Sequence, residues 1–334
     1  MSSLESCWYR PSKIVWLLLP LSWLYCLITV LRRRLYQLNI KKSYAANVPV
    51  VVVGNIVAGG SGKTPLLIAL CEFVRLRGYK AGVVSRGYGG SFTGIKQVTR
   101  NDSAELVGDE PLMIYLRTAV PVVVAADRVA AVDYLLVNNN CDIVFSDDGL
   151  QHYRMQRKLE LAVVDAERQF GNGFCIPAGP LREKISRLDD VDITIYNGRP
   201  GAGGTAKMSG KVDYSYQLKI AKIQRLDSDE CRDLSSFIGS KIHAVAGIGN
   251  PARFFSQLES LGLSVDSHAF PDHYQYRQED FSDWSSDCIM MTEKDAVKCR
   301  HLTLTDAWVI TVDAELSIDL NNRLENILLP LLAK

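Results

Sequence analysis

A glycine-rich turn between a buried strand and a helix constrains this chain more than any other feature. Residues 50–64 read VVVVGNIVAGGSGKT, and Pro65 with a helical pattern follows. Four consecutive valines predict a buried strand, and Gly62-Lys63-Thr64 predicts the start of a helix. Strand, glycine loop, Lys-Thr and helix in this order form the P-loop arrangement, which binds a nucleoside triphosphate. An ordinary strand-to-helix turn is the alternative, and the flanking elements favour the nucleotide site.

Each part of the P-loop has a chemical role. Backbone N–H groups of the loop are expected to surround phosphate oxygens, and the helix N-terminus adds positive potential. The residues expected to do this are Gly59, Gly60, Ser61 and Gly62. Lys63 is expected to reach the β- and γ-phosphates of ATP, and the Thr64 hydroxyl to bind Mg²⁺. Val57 stands where the usual pattern has a glycine, so Gly59 and Gly60 supply the flexibility instead.

A second apolar strand ends in two aspartates. Residues 141–152 read CDIVFSDDGLQH, and the strand is expected to end at Asp147 and Asp148. An aspartate at this place in a P-loop protein holds the same Mg²⁺ as the P-loop hydroxyl. Two adjacent carboxylates repel each other, so they require a cation or a shared role. Strand-end aspartates that only cap a turn are the alternative.

The N-terminus predicts membrane attachment. Residues 14–31 carry no charge, and arginines follow at positions 32–34. A cleaved signal peptide is disfavoured because no small-residue cleavage site follows. A spanning helix is marginal at this length with Pro20 inside, and a helix lying in the membrane interface with its tryptophans at headgroup level fits equally well. The arginines place the rest of the chain on the cytoplasmic side. A buried core helix is the remaining alternative.

Composition excludes several classes of function. A formal net charge of +1 offers no general field for nucleic acid. The eight cysteines show no metal-binding spacing, which suits a reducing compartment and argues against a disulfide framework or a zinc site.

The chain is long enough for about two domains. Residues 198–210 are rich in glycine and small residues and are typical of a linker, and a second α/β pattern begins at 242. Its sequence GIGNPA at 247–252 matches a dinucleotide fingerprint, but it lacks the acidic residue that would follow and is interpreted as a turn without a nucleotide. The predicted segments are a membrane-associated helix (1–40), a P-loop nucleotide-binding domain (47–200), a linker with a β-hairpin (201–235) and a smaller α/β domain (236–334).

Eight motifs together resemble one protein family over essentially the whole chain. In order they are GNIVAGGSGKTP, SRGYGG, GDEP, DDGLQH, PAGPLRE, AGIGNPARF, FPDHY and TEKD. After an N-terminal apolar helix, this set is similar to the tetraacyldisaccharide 4′-kinase (lipid A 4′-kinase) family. The glycine missing at Val57 is missing in the family pattern as well.

The resemblance implies an activity and a place in the cell. It implies transfer of the ATP γ-phosphate, with Mg²⁺, to the 4′-hydroxyl of an acylated glucosamine disaccharide 1-phosphate, which gives lipid IV-A in lipid A biosynthesis. It also implies two P-loop-like parallel-sheet domains joined by a two-stranded linker. The enzyme is expected on the cytoplasmic face of the inner membrane, peripheral or monotopic, in contact with membrane lipid and without an obligate protein partner.

The resemblance also implies roles for single residues. Asp109 resembles the catalytic base and His273 its polarising partner, with Lys63, Asp147 and Asp148 completing the catalytic set. Expected contacts to substrate or phosphates are Tyr88, Arg128, Arg182 and Glu183. From the residues alone, Asp109 before Pro111 is typical of a common helix N-cap, and a lone histidine such as His273 is more often a turn or core residue than a catalytic one.

The competing class is a membrane-attached P-loop NTPase that energises or switches a partner protein. GTPase switches need an N/T-K-x-D motif, and in Thr292-Glu293-Lys294-Asp295 the lysine directly precedes the aspartate. A soluble small-molecule kinase leaves the N-terminal helix unexplained. The spacing and the helix therefore favour the lipid kinase.

Overall fold

The computed structural model describes residues 7–199, 214–284 and 287–333. Most of the predicted glycine-rich linker falls in 200–213, outside the described residues.

The first half is a parallel sheet with helices on both faces, as the alternating pattern predicts. Its strands are β1 Val50–Gly54, β2 Ala81–Ser85, β3 Ile95–Gln97, β4 Val122–Ala125, β5 Ile143–Asp147, β6 Leu159–Asp165 and β7 Ile193–Asn197. Its helices are α1 Ile14–Gln37, α2 Lys63–Arg75, α3 Ala104–Val107, α4 Asp109–Thr118 and α5 Arg128–Asn138, with a 3₁₀ helix at Ile185–Asp190.

The second half repeats the α/β pattern on a smaller scale. Its strands are β8 Tyr214–Arg225, β9 Cys231–Arg232, β10 Lys241–Ala246, β11 Ser264–Ala269, β12 Cys288–Thr292 and β13 Ala307–Leu316. Its helices are α6 Pro251–Ser260, α7 Glu293–Cys299 and α8 Ile318–Leu332, with 3₁₀ helices at Leu234–Phe237 and Gln278–Trp284.

One sheet runs through both halves. Its strand order is β11-β10-β12-β13-β8-β7-β6-β1-β5-β2-β4-β3, with β9 on β8. The strands of the first half are parallel to one another except for the antiparallel edge strand β3, and in the second half β10 to β13 are parallel. The halves join where β8, parallel to β7, runs antiparallel to β13. These two long strands join the halves. Within the predicted linker at 201–235, the local partner of β8 among the described residues is only the two-residue β9.

The valines of β1 alternate between the two faces of the sheet, and each face is covered by an apolar core. Val51 and Val53 point into the core cluster on one face, while Val50 and Val52 point into the cluster on the other. Both faces are therefore apolar, as expected for a strand buried under helices on both sides. Helix α8 buries leucines 320, 324 and 328, spaced four residues apart on one helix face, in the same core as Val51. The C-terminal helix therefore packs on the P-loop half, although its residues were predicted to belong to the smaller domain at 236–334. The predicted domain boundaries stay predictions.

Helix α1 buries one narrow stripe of residues against the protein. Its buried residues are Val15, Leu19, Ser22 and Cys26. The Ser22 hydroxyl donates a hydrogen bond of 2.7 Å to the Cys175 carbonyl oxygen. The other faces are apolar and exposed, and the helix is long and apolar enough to cross a membrane by length and composition.

Candidate active site

Side chains from β7 and β8 hold the P-loop in shape. Gly59 and Gly62 have φ angles of 97° and 83°, a region that glycine enters without strain. The Tyr216 hydroxyl donates a 2.6 Å hydrogen bond to the Gly62 carbonyl oxygen, and Asn197 Nδ2 donates one of 3.2 Å to the Ser61 carbonyl oxygen. Because both carbonyl oxygens accept hydrogen bonds from side chains of the protein, the loop conformation is held without a ligand.

The P-loop lysine faces the second of the two strand-end aspartates. Lys63 Nζ lies 3.4 Å from Asp148 Oδ1, and Arg182 Nη1 lies 2.6 Å from Asp148 Oδ2. Burial opposes ionisation of Asp148, but these two positive charges outweigh it and hold its pKa well below the ordinary value. The three residues therefore form a charged cluster at the carboxyl end of β5, where α/β sheets bind ligands.

Asp147 has a different environment. Its side chain is buried, and Oδ2 accepts a 3.0 Å hydrogen bond from the Ser85 hydroxyl. Burial and the negative charges of Glu110 and Asp148 raise the pKa of Asp147 to about 7. Among the described residues, Asp147 Oδ1 has no hydrogen-bond partner. A buried carboxylate oxygen without a partner suits a cation, so the residues present fit Mg²⁺.

Asp109 and His273 meet across the two halves of the chain. His273 Nδ1 lies 2.9 Å from Asp109 Oδ2, and Asp109 Oδ1 accepts a 2.9 Å hydrogen bond from the Glu110 backbone N–H. Gly108 is the N-cap of α4 and Asp109 is its first residue, so the interpretation of Asp109 as the cap is wrong. One carboxylate oxygen, Oδ1, thus binds the Glu110 backbone N–H, and the other, Oδ2, faces His273.

Lys294 completes this group and was missed by sequence reasoning. Its Nζ lies 3.0 Å from Asp272 Oδ1, 3.1 Å from Glu110 Oε1 and 3.8 Å from Asp109 Oδ2. These carboxylates raise the pKa of Lys294 despite its burial. Burial alone would raise the pKa of Asp109, but the His273 hydrogen bond and the Lys294 charge outweigh it, and the pKa is lowered. The sequence signals are its place just after the end of a predicted strand and within the TEKD motif, to which no catalytic role was assigned.

The four predicted substrate contacts fall into two kinds of environment. The Tyr88 ring is exposed and meets the His273 ring edge-on, with 4.9 Å between centroids, and Arg182 binds Asp148. Arg128 is buried and donates to the Ala125 carbonyl oxygen at 2.8 Å. Burial lowers the pKa of Arg128 to about 10, against the opposite effect of the aspartates.

Glu183 lies in a buried ion pair. Its Oε2 lies 3.2 Å from Arg187 Nε, and the Tyr153 hydroxyl donates to its Oε1. Tyr88 and Arg182 therefore lie directly against side chains of proposed catalytic residues, Arg128 donates to the Asp147 backbone carbonyl oxygen at 3.4 Å, and Glu183 binds other parts of the protein. Contact with substrate stays a prediction for all four.

Comparison with known proteins gives a consistent result. A family model described as tetraacyldisaccharide-1-P 4′-kinase matches residues 14–330. The tetraacyldisaccharide 4′-kinase of Hahella chejuensis is 46% identical over 319 residues, covering 94% of this chain and 92% of the relative. That of Methylobacillus flagellatus is 44% identical over 315 residues, with the same coverage of 94% and 92%.

A solved structure is similar over nearly the full length. The "apo" form of LpxK from Aquifex aeolicus, crystallised in complex with ATP, has a TM-score of 0.81 and 26% sequence identity. The match covers 96% of this chain and 100% of that chain.

Proposed function

The chain belongs to the tetraacyldisaccharide 4′-kinase family, and we propose that its P-loop and its Asp109–His273 pair carry out the reaction of that family. It is a lipid kinase that transfers the γ-phosphate of ATP to the 4′-hydroxyl of tetraacyldisaccharide 1-phosphate, forming lipid IV-A in lipid A biosynthesis. The observation that carries the assignment of roles is the 2.9 Å contact between Asp109 Oδ2 and His273 Nδ1.

The P-loop binds the triphosphate of ATP. Its backbone N–H groups and the N-terminus of α2 favour the phosphate charges, and Lys63 supplies a positive charge to the β- and γ-phosphates. Residues Thr64, Asp147 and Asp148 would hold Mg²⁺, which neutralises charge that develops on the phosphates. Arg182 keeps Asp148 ionised, so a negative ligand is present at neutral pH.

Asp109 accepts the proton of the 4′-hydroxyl. Its lowered pKa makes it a weak base, but phosphoryl transfer has a loose transition state in most analyses, so the proton leaves late, when the hydroxyl oxygen has become more acidic. His273 fixes the orientation of the carboxylate, and Lys294 keeps it ionised. Glu110 couples this group to the nucleotide side, because its charge raises the pKa of Asp147.

The N-terminal helix supplies the contact with the lipid phase. A perpendicular spanning helix would be surrounded by lipid, whereas α1 has a buried stripe that contacts the loop around Cys175. Its exposed residues include Trp16, Leu17, Trp23, Leu24 and Leu27. A helix packed on one side and apolar on the other suits a position in the membrane interface. The enzyme is accordingly a peripheral or monotopic protein on the cytoplasmic face of the inner membrane, where the acyl chains of its substrate lie.

The test of this function is transfer of ³²P from labelled ATP to purified disaccharide 1-phosphate in mixed micelles. Lys63→Ala should lose orders of magnitude in turnover, because the lysine acts electrostatically on the transferred group. Lys80→Ala removes an exposed lysine and serves as the matched control. Hydrolysis of ATP without labelled lipid would support the NTPase switch and overturn the kinase assignment.

A further inference from the structure

A second cluster of chemically active side chains lies away from the ATP site, on neighbouring strands of the second half. His243 lies on β10, and Asp266 and His268 lie on β11, with His243 paired in register to Asp266. His243 Nδ1 lies 3.0 Å from His268 Nε2 and 3.6 Å from Asp266 Oδ2, and His268 Nε2 lies 3.8 Å from the same oxygen. Three potential ligand atoms of two imidazoles and a carboxylate thus surround one point.

The spacing of these atoms fits a metal ion. Ligand atoms about 2.0–2.2 Å from a tetrahedral Zn²⁺ are roughly 3.3–3.6 Å apart. The observed separations of 3.0, 3.6 and 3.8 Å lie on both sides of that range. A plain hydrogen bond between the imidazoles would explain the shortest separation, but it would not explain why Asp266 reaches both rings.

The far side of His243 fixes its tautomer. Its Nε2 lies 3.0 Å from Asp287 Oδ2. A carboxylate only accepts hydrogen bonds, so this nitrogen carries a proton, and in the neutral ring Nδ1 then presents a lone pair toward Asp266 and His268. A carboxylate behind a histidine in this way is the arrangement that orients histidine ligands in metal sites.

The site is enclosed on one side and open on the other. His243 is buried, while 52% of the Asp266 side chain and 21% of the His268 side chain are exposed. The Trp284 ring covers both imidazoles, with 5.1 Å between centroids to His243 and 3.8 Å to His268. A metal bound here would have three protein ligands and one position open to water.

We propose that His243, Asp266 and His268 form a zinc site. Two imidazole nitrogens and one carboxylate oxygen are ligands that Zn²⁺ accepts. The cysteine spacing gave no sign of such a site because none of its ligands is a cysteine. The bound ion ties β10 to β11 and, through Asp287, to the start of β12. Since β11 leads directly to the segment that carries His273, zinc stabilises the support of that residue.

The experiment measures zinc bound to the full-length protein after treatment with chelator and titration with ZnCl₂ alone. Bound zinc is quantified by elemental analysis, and its effect on the fold by the melting temperature. Asp266→Asn and His268→Gln remove ligands that are not buried, so the fold should survive. Asp283→Asn and His301→Gln remove an exposed aspartate and an exposed histidine elsewhere and are the matched controls.

The expected result is one zinc per wild-type chain, with a melting temperature that rises on binding. Both ligand variants should lose this equivalent, both controls should keep it, and Asp287→Asn should bind about 10–100-fold more weakly. Cobalt in place of zinc should give the absorption of a tetrahedral ion in the wild type and both controls, and not in the two ligand variants. Equal zinc content in wild type and ligand variants, or no binding by the wild type, would overturn the proposal.

Discussion

The Asp109 carboxylate and the His273 imidazole come from residues 164 positions apart and lie 2.9 Å from each other, between Oδ2 and Nδ1. Asp109→Asn keeps the shape of the side chain but removes the proton acceptor, so we expect kcat to fall by about 10²–10⁴ with little change in ATP affinity. His273→Ala should cost less, and the double variant should lose less than the product of the two single losses, because the residues act as a unit.

The melting temperature is the control for these variants. Asparagine can still accept the Glu110 backbone hydrogen bond, so Asp109→Asn should fold, with a melting temperature at neutral pH that is lowered only by the loss of the carboxylate charge beside His273 and Lys294. A wild-type kcat in Asp109→Asn would show that Asp109 is not the base. Asp147 and Asp148 would then be tested as the base.

Replacing Lys294 should change the response to pH. Its charge favours ionised Asp109, so Lys294→Met should raise the pKa of Asp109 and move the acid limb of kcat/KM to higher pH. In the wild type, the lowered pKa of Asp109 contributes stability above the ordinary pKa of 3.8, and this contribution is lost as pH falls through the folded pKa. The melting temperatures of wild type and variant should therefore differ most at neutral pH and converge in acid.

Lys158→Met, at an exposed position, is the control for this prediction. An acid limb at the same pH in wild type and Lys294→Met would show that Lys294 has no influence on the base.

Two glycines of the P-loop offer a matched pair of variants. Alanine at either Gly59 or Gly62 would take a positive φ angle, which costs on the order of 1 kcal/mol. A Cβ at Gly59 meets nothing within 4 Å, whereas one at Gly62 overlaps Asn197 Nδ2 and lies 2.8 Å from the Tyr216 hydroxyl. Gly62→Ala should therefore raise the KM for ATP far more than Gly59→Ala. Equal effects would mean that the support from Asn197 and Tyr216 does not matter.

The exposed face of α1 should control membrane binding. Changing Leu17, Leu24 and Ile28 together to glutamine removes apolar surface without touching the buried stripe. We expect less protein to float with lipid vesicles and a higher KM for the micellar lipid acceptor, because apolar area drives interfacial binding. Leu76→Gln with Val137→Gln, also exposed and apolar, is the control. Undiminished vesicle binding by the triple variant would place the docking surface elsewhere.

The sequence predicts best what is local. The P-loop lies within fifteen consecutive residues, so its strand, turn and helix are readable together, and the aspartates after β5 follow from the end of an apolar run. The pairing of Asp109 with His273 needed the family resemblance, because no local pattern links positions so far apart. Lys294 was missed for the same reason: its importance comes from three carboxylates that the fold assembles around it.

Strand partners are equally non-local. The alternation in β8 predicts an extended segment, but it cannot indicate that its main partner is β13, about ninety positions further along the chain. Alternation records which residues face a core, whereas pairing depends on which strands the folded chain brings together.

The ladder between β8 and β13 determines how the enzyme can move. Halves joined by a loose tether could drift apart at little cost, but here separation would break the main-chain hydrogen bonds of strands twelve and ten residues long. Any opening between the nucleotide and the base must therefore be a torsion of the sheet itself, easiest at the irregularity between Thr311 and Val312. The joint therefore resists separation of the halves: an acceptor that entered by forcing them apart would strain the sheet, and relief of that strain would bring the proposed catalytic pair, Asp109 and His273, back together.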